Sequence, residues 1–255
     1  MSTDFLFLHG GGQGSWVWGE TIEALRLQMG GSPGRFLTLD IAGCGTKRGY
    51  DTGAMTVSDI VVDLLADIEA AGVVGDAVLV GHSQAGTILP LLTGARPELF
   101  RHIVYVSCLA PTGGQTALDW RSGMPSAGES ALRGDHPPGS RDRYRLMFCN
   151  DMTQMQAERF LDRLGPDRWP DASYAMSKWG YDHLAGLPAT YVLCLRDATL
   201  IPAWQRIFAE RLHVQEVVSV DAGHQIMNTR PHALAEILLL KAGFRPIPEF
   251  LDPSS

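Results

Sequence analysis

Three residues far apart in the chain, Ser83, Asp197 and His224, have the types and settings that nucleophilic chemistry needs. A serine hydroxyl attacks a carbonyl only when a base takes its proton, and an imidazole serves best when a third group orients it. Ser83 stands in Ala77-Val78-Leu79-Val80-Gly81-His82-Ser83-Gln84-Ala85-Gly86. The apolar first half reads as a strand buried on both faces, and the run from Thr87 to Leu92 is compatible with a helix. Small residues at Gly81 and Ala85 allow a sharp turn between them, which pushes the serine hydroxyl out at the carboxyl end of a sheet. The competing reading is a plain strand-to-helix turn in which Ser83 caps the helix. His224 ends the short loop Asp221-Ala222-Gly223-His224, and Asp197 follows the strand before that one. Both side chains are therefore expected above the same sheet edge as Ser83.

Other residues compete for these roles. Asp221 is too close in sequence to His224 to approach its ring from behind and reads as a loop brace, while Asp119 is an alternative acid. His9, His82, His102, His136, His183, His213 and His232 read as structural or solvent-facing. A second candidate element is His9-Gly10-Gly11-Gly12-Gln13-Gly14-Ser15-Trp16-Val17-Trp18. Its glycines leave backbone N–H groups uncovered, so one of them could face an incoming carbonyl oxygen as half of an oxyanion hole. A phosphate-cradling loop is the alternative, but the G-x-G-x-x-G spacing and the P-loop lysine are both missing.

Positioning such residues requires a particular scaffold. Strands are expected over Asp4–Leu8, Arg35–Asp40, Ala77–Val80, His102–Ser107, Pro188–Leu195 and Glu216–Val220, with helices near 16–29, 56–71, 202–212 and 231–241. This alternation implies right-handed crossovers and a mostly parallel, doubly wound α/β sheet. Between Pro111 and Leu187 it breaks, with helical stretches only, at 152–164 and near 172–179. The expected organisation is a core of residues 1–110 and 188–255 with residues 111–187 inserted as a helical cap. Trp120, Met124, Met147, Phe148, Met152, Met155, Trp169, Met176 and Trp179 concentrate there. Together they suggest an apolar pocket, although each could simply pack the cap against the body. The proline-rich stretch from Pro246 to Ser255 is expected on the surface.

Composition narrows the partners. A chain of 255 residues, 45% hydrophobic and 19% charged, is an ordinary globule, and its net charge of -7 disfavours nucleic acid and anionic membranes. The first residues carry no basic leader or long apolar segment, so the expected location is the cytoplasm. Cys44, Cys108, Cys149 and Cys194 lack C-x-x-C spacing and read as reduced, buried thiols rather than a disulfide frame or a zinc site. Neither a metal nor an organic cofactor is called for. The expected partner is a small-molecule substrate, and a homodimer is left open.

With these residues in place, the sequence resembles the α/β-hydrolase superfamily, and within it the branch of plant methylesterases, hydroxynitrile lyases and their small bacterial esterase relatives. Three blocks carry the resemblance: His9-Gly10-Gly11 through Trp18, Gly81 through Gly86, and Cys194-Leu195-Arg196-Asp197 with Gly223-His224. The segment Met147-Phe148-Cys149-Asn150-Asp151 is similar to bacterial members. The chain order Ser83, Asp197, His224 is also that of this fold. The resemblance implies an α/β-hydrolase fold, a serine esterase with a Ser83-His224-Asp197 triad, and oxyanion donors at the N–H groups of Gly11 and Gln84. The residues expected to meet the substrate are Gly10, Trp16, Trp120, Met124, Phe148, Met152, Trp179 and Gln225. The hydroxynitrile lyases carry a hydroxyl residue where Gly10 stands, a glutamate where His82 stands and a lysine where Gln225 stands. Lacking the cyanide-stabilising lysine, the chain is expected to hydrolyse a small hydrophobic or aromatic ester, thioester or lactone. The alternatives are C–C bond cleavage, a biosynthetic cyclase or acyltransferase, and a non-catalytic small-molecule receptor.

Overall fold

A computed structural model of the chain describes residues 3–30, 34–119, 124, 136, 137 and 139–244. Trp120 and the stretch from Pro246 to Ser255 lie outside these residues. Six strands form one sheet: β1 (Thr3–Leu8), β2 (Gly34–Leu39), β3 (Ala77–His82), β4 (Phe100–Val106), β5 (Ala189–Cys194) and β6 (Glu216–Val220). Their order is β2-β1-β3-β4-β5-β6, and every pairing is parallel.

Parallel neighbours need crossovers, and helices supply them: α1 (Gly19–Met29), α2 (Val57–Ala70), α3 (Leu89–Ala95) and α7 (Pro202–Arg211) each join successive strands. The helices α8 (Ile226–Thr229) and α9 (Pro231–Lys241) follow β6. Both sheet faces are covered, which is why the inner strands carry unbroken apolar stretches, Phe5–Leu8, Ala77–Val80, Ile103–Val106 and Tyr191–Cys194. Phe5, Phe7, Val78, Val80, Val104 and Val192 form one core layer with Leu25 of α1 and Leu234 and Leu238 of α9. Leu6, Leu8, Leu79, Ile103, Tyr105 and Tyr191 form the other with Ile60 and Leu64 of α2 and Phe208 of α7. Each large side chain buried this way contributes about 1.5–3 kcal/mol.

Local sequence sets where the helices begin. Thr56 caps α2, its hydroxyl accepting from the Asp59 N–H while the Asp59 carboxylate accepts from the Thr56 N–H at 2.8 Å. The helix expected from Trp16 starts instead as a 3-10 turn over Ser15–Trp18 and becomes α-helical only at Gly19. The run after the elbow is likewise 3-10 over Ser83–Thr87 before α3, which carries proline in its first turn, where the missing N–H costs nothing.

Between β4 and β5 the described residues hold α4 (Arg141–Phe148), α5 (Gln154–Leu161) and α6 (Asp171–Ala175), and no strand. The stretches expected at 152–164 and 172–179 are the shorter α5 and α6. In α4, Arg-Asp-Arg-Tyr-Arg-Leu-Met-Phe, the residues Tyr144, Met147 and Phe148 recur at helical spacing and pack on the α1/α9 core layer, and Ser140 caps the helix by accepting from the Arg143 N–H.

One topological feature positions the site. From β1 the chain moves outward to β2, then returns past β1 to place β3 on its other side. The connections after β1 and β3 therefore diverge, leaving a crevice at their carboxyl ends. In register, Leu8 pairs with Gly81, which brings Gly10 and Ser83 level across that crevice.

Candidate active site

Ser83 directly follows β3 and lies in the left-handed region, with φ +55°. For a residue with a side chain this conformation costs about 1–2 kcal/mol and persists only where neighbours hold it. Here they do. The Leu109 N–H donates to the Ser83 carbonyl at 3.1 Å, and Gly86 lies so close beneath the Leu109 carbonyl and Cys108 that a Cβ there would overlap both.

The hydroxyl meets a buried base. His224 Nε2 lies 3.0 Å from Ser83 Oγ, and His224 Nδ1 lies 2.7 Å from Asp197 Oδ2. The side chains of His224 and Asp197 are both fully buried. A buried carboxylate needs donors on its remaining lone pairs, and Asp197 has them. Its Oδ1 accepts from the N–H groups of Thr199 at 2.7 Å and Leu200 at 2.8 Å, and its Oδ2 also accepts from Ser107 Oγ at 2.5 Å. Because Oδ2 is an acceptor only, Nδ1 carries the ring proton and Nε2 presents its lone pair to the serine.

His82 lies behind the base, its ring 4.6 Å from that of His224. Its Nε2–H donates to the His224 carbonyl at 2.9 Å, and burial pushes its pKa well below the usual imidazole value, so the ring is neutral. It supports the backbone of His224.

Across the crevice, His9 Nδ1–H donates to the Gly10 carbonyl at 2.8 Å and its Nε2 accepts from the Ile41 N–H at 3.2 Å. Asp40 accepts from the Ser15 N–H at 2.6 Å and from the Thr46 N–H at 2.9 Å, so it braces the glycine-rich loop. A Cβ on Gly10 would lie 3.0 Å from Ser83 Cβ, and one on Gly11 would collide with the Gln84 side-chain oxygen. Gly11 and Gln84 thus face each other beside the serine.

The structure divides the remaining expected site residues. The Phe148 ring is stacked on His224 at 5.7 Å. Gln225 is fully buried, with no hydrogen-bond partner for either end of its amide. The others make these contacts. Trp16 packs on Phe160 at 5.4 Å beneath the Arg163 guanidinium, Met124 meets Arg211, Trp179 donates to the Gln115 carbonyl at 2.6 Å, and Met152 packs into the α1/α9 core layer. Asp221 pairs with Arg196 at 2.8 Å, and Asp119 is held by Thr116.

Two features escape the sequence. Ser107, directly after β4, reaches both Asp197 and His224, and only its place after an apolar strand hinted at it. The segment after α4 also grips both functional loops. Asn150 Nδ2–H donates to the Arg196 carbonyl at 2.6 Å, Asp151 Oδ2 accepts from the Gly223 N–H at 2.7 Å, and the Thr199 hydroxyl donates to the Met147 carbonyl at 2.6 Å.

Among the described residues, no group of three or more His, Cys, Asp or Glu could hold a metal ion, and no helix is long and apolar enough to cross a membrane.

A family model described as the alpha/beta hydrolase family matches residues 5–237. A putative chloroplastic methylesterase 11 of Arabidopsis thaliana is 29% identical over 45% of this chain and 28% of its own length. A second, methylesterase 12, is matched over 32% of its length, so this chain spans about a third or less of these two relatives. A carbendazim hydrolyzing esterase of Nocardioides sp. (strain SG-4G) is 25% identical over 92% of this chain and 98% of its own. Among solved structures, a pyrethroid hydrolase from Sphingobium faniae JZ-2 superposes with a TM-score of 0.74 at 20% identity, covering 95% of this chain and 98% of that one.

Proposed function

The chain belongs to the α/β-hydrolase family, and we propose that it hydrolyses a small carboxylic ester through an acyl-enzyme. The reading rests on one observation: a strained, outward-facing serine 3.0 Å from an imidazole whose far nitrogen is fixed by a buried carboxylate. Full-length relatives named as esterases support it.

In the first step Ser83 Oγ attacks the ester carbonyl carbon while its proton passes to His224 Nε2. Asp197 holds the tautomer and balances the imidazolium. Negative charge gathers on the carbonyl oxygen, where the N–H groups of Gly11 and Gln84 receive it, each donor lowering the barrier by about 3 kcal/mol. The imidazolium then protonates the departing alkoxide, leaving Ser83 acylated. Water, deprotonated by His224, attacks the acyl carbon, and Ser83 leaves with the proton.

Residues 111–187 act in this reading as a helical cap whose Phe148 forms an apolar wall on the base. Its aromatic and methionine side chains favour a small hydrophobic or aromatic ester, thioester or lactone. The test is incubation with a serine-reactive fluorophosphonate, followed by peptide mass mapping. Labelling confined to Ser83 and abolished by His224→Ala is expected, whereas an unlabelled Ser83 in folded protein would overturn the mechanism. A panel of p-nitrophenyl esters of increasing acyl length then sizes the pocket.

A further inference from the structure

We propose that Ser107 is a positioning residue that tunes the basicity of His224, an inference that rests on the triad reading above. Its Oγ lies 2.5 Å from Asp197 Oδ2 and 3.4 Å from His224 Nδ1, so the hydroxyl closes a triangle with the acid and the base. The proton assignment follows from valence. Nδ1–H already points at Oδ2, so the single hydroxyl proton of Ser107 also goes to Oδ2, which takes these two short bonds and a longer one from Gln205 Nε2–H at 3.5 Å.

The backbone shows that this placement is enforced. Ser107 is fully buried with φ +41°, a left-handed conformation that a residue with a Cβ adopts at a cost. It is held from every side. The Ser107 N–H donates to the Val192 carbonyl at 3.0 Å, the Tyr191 hydroxyl donates to the Cys108 carbonyl at 2.6 Å, and the Leu109 N–H donates to the Ser83 carbonyl at 3.1 Å. The same turn that aims Ser107 at the acid is thus tied to the nucleophile's own carbonyl.

Donation by Ser107 partly neutralises Oδ2, which weakens the attraction between the carboxylate and an imidazolium. It holds the base in its neutral, proton-accepting form to lower pH than the Asp197 carboxylate alone would. The other titratable and charged groups packed around the pair are His82 from β3, Tyr191 and Cys194 from β5, Cys108 after β4, and Asp151 from the α4–α5 connection, whose Oδ2 lies 4.0 Å from the guanidinium of Arg196 beside Asp197. Burial keeps His82, Tyr191, Cys194 and Cys108 uncharged, so none of these four supplies a competing charge.

The test compares Ser107→Ala with Ser107→Gly. Both remove the hydroxyl, but only glycine relieves the strained backbone. The pH dependence of fluorophosphonate labelling at Ser83 is measured alongside the NMR titration of the His224 ring and the thermal midpoint. In both variants the pH midpoints are expected to rise by about half to one unit. Midpoints that stay fixed in the glycine variant, or move only in the alanine variant, would assign Ser107 a purely structural role. If His224 titrates as expected but Ser83 is never labelled, the acyl-enzyme reading falls while the role of Ser107 stands.

Discussion

The Gly223 N–H donates to Asp151 Oδ2 at 2.7 Å, which ties the loop bearing His224 to the connection after α4. Gly223 is pressed against that connection, since a Cβ there would lie 2.5 Å from Asn150 Oδ1. The helices inserted between β4 and β5 are therefore part of the apparatus that fixes the base. Asp151→Ala leaves the Gly223 N–H without its acceptor, at a cost of about 1–3 kcal/mol, and is expected to slow Ser83 labelling roughly tenfold. Asp151→Asn keeps an acceptor oxygen and should restore most of the rate. Equal losses in both variants, measured by labelling kinetics, would show that charge rather than this hydrogen bond matters.

Asp197→Asn tests how the acid works. Because Oδ1 accepts from two backbone N–H groups, an asparagine at 197 must put its carbonyl there and turn its NH2 toward His224 Nδ1. The imidazole then accepts at Nδ1 and carries its proton on Nε2, facing Ser83. Ester hydrolysis is expected to fall by about 10³–10⁴-fold with the thermal midpoint little changed. A loss smaller than tenfold would remove Asp197 from the mechanism.

The sheet was legible in the sequence because each central strand is buried on both faces and shows as an unbroken apolar run. Ser83 and its turn were legible because strand, small residues and helix follow one another in a fixed spacing. The α4 helix was not, since its apolar stripe of Tyr144, Met147 and Phe148 spans barely more than one turn among three arginines and an aspartate. Ser107 was hidden for a different reason: serine is common after strands, and only three-dimensional packing reveals that it faces Asp197. The pocket residues show the same limit. The composition of residues 111–187 marks Trp179 as readily as Phe148, and only three-dimensional packing shows that it is Phe148 that is stacked on the base.

The tightest point of the elbow lies one residue beyond the G-x-S-x-G spacing. At Gly86, not Ala85, an added Cβ would overlap the Leu109 carbonyl oxygen and lie 2.9 Å from Cys108 Cβ. Backbone cannot swing aside as a flexible side chain can. Gly86→Ala is expected to destabilise the fold by about 1–3 kcal/mol and to disturb the Leu109–Ser83 hydrogen bond, lowering both thermal midpoint and labelling rate. An unchanged midpoint would mean that the turn relaxes freely.

Three histidines make stability sensitive to acid. Burial lowers the pKa of His9, lowers that of His82 well below the usual value, and brings His102 down to about 4. A group whose folded pKa is depressed binds protons more readily unfolded, so stability is full above the unfolded value near 6.5 and declines as pH falls below it. At pH 5.5 unfolding should take up about two to three protons at these sites, and the thermal midpoint should drop steadily from pH 7.5 to 5.5. His102 sits at the amino end of β4, away from Ser83, and bonds Thr190 Oγ1 at 2.9 Å. His102→Gln should therefore lessen proton uptake by about one while leaving Ser83 labelling at pH 7.5 intact. Calorimetry across this pH range would refute the assignment if the midpoint stayed level or the variant kept the full pH slope.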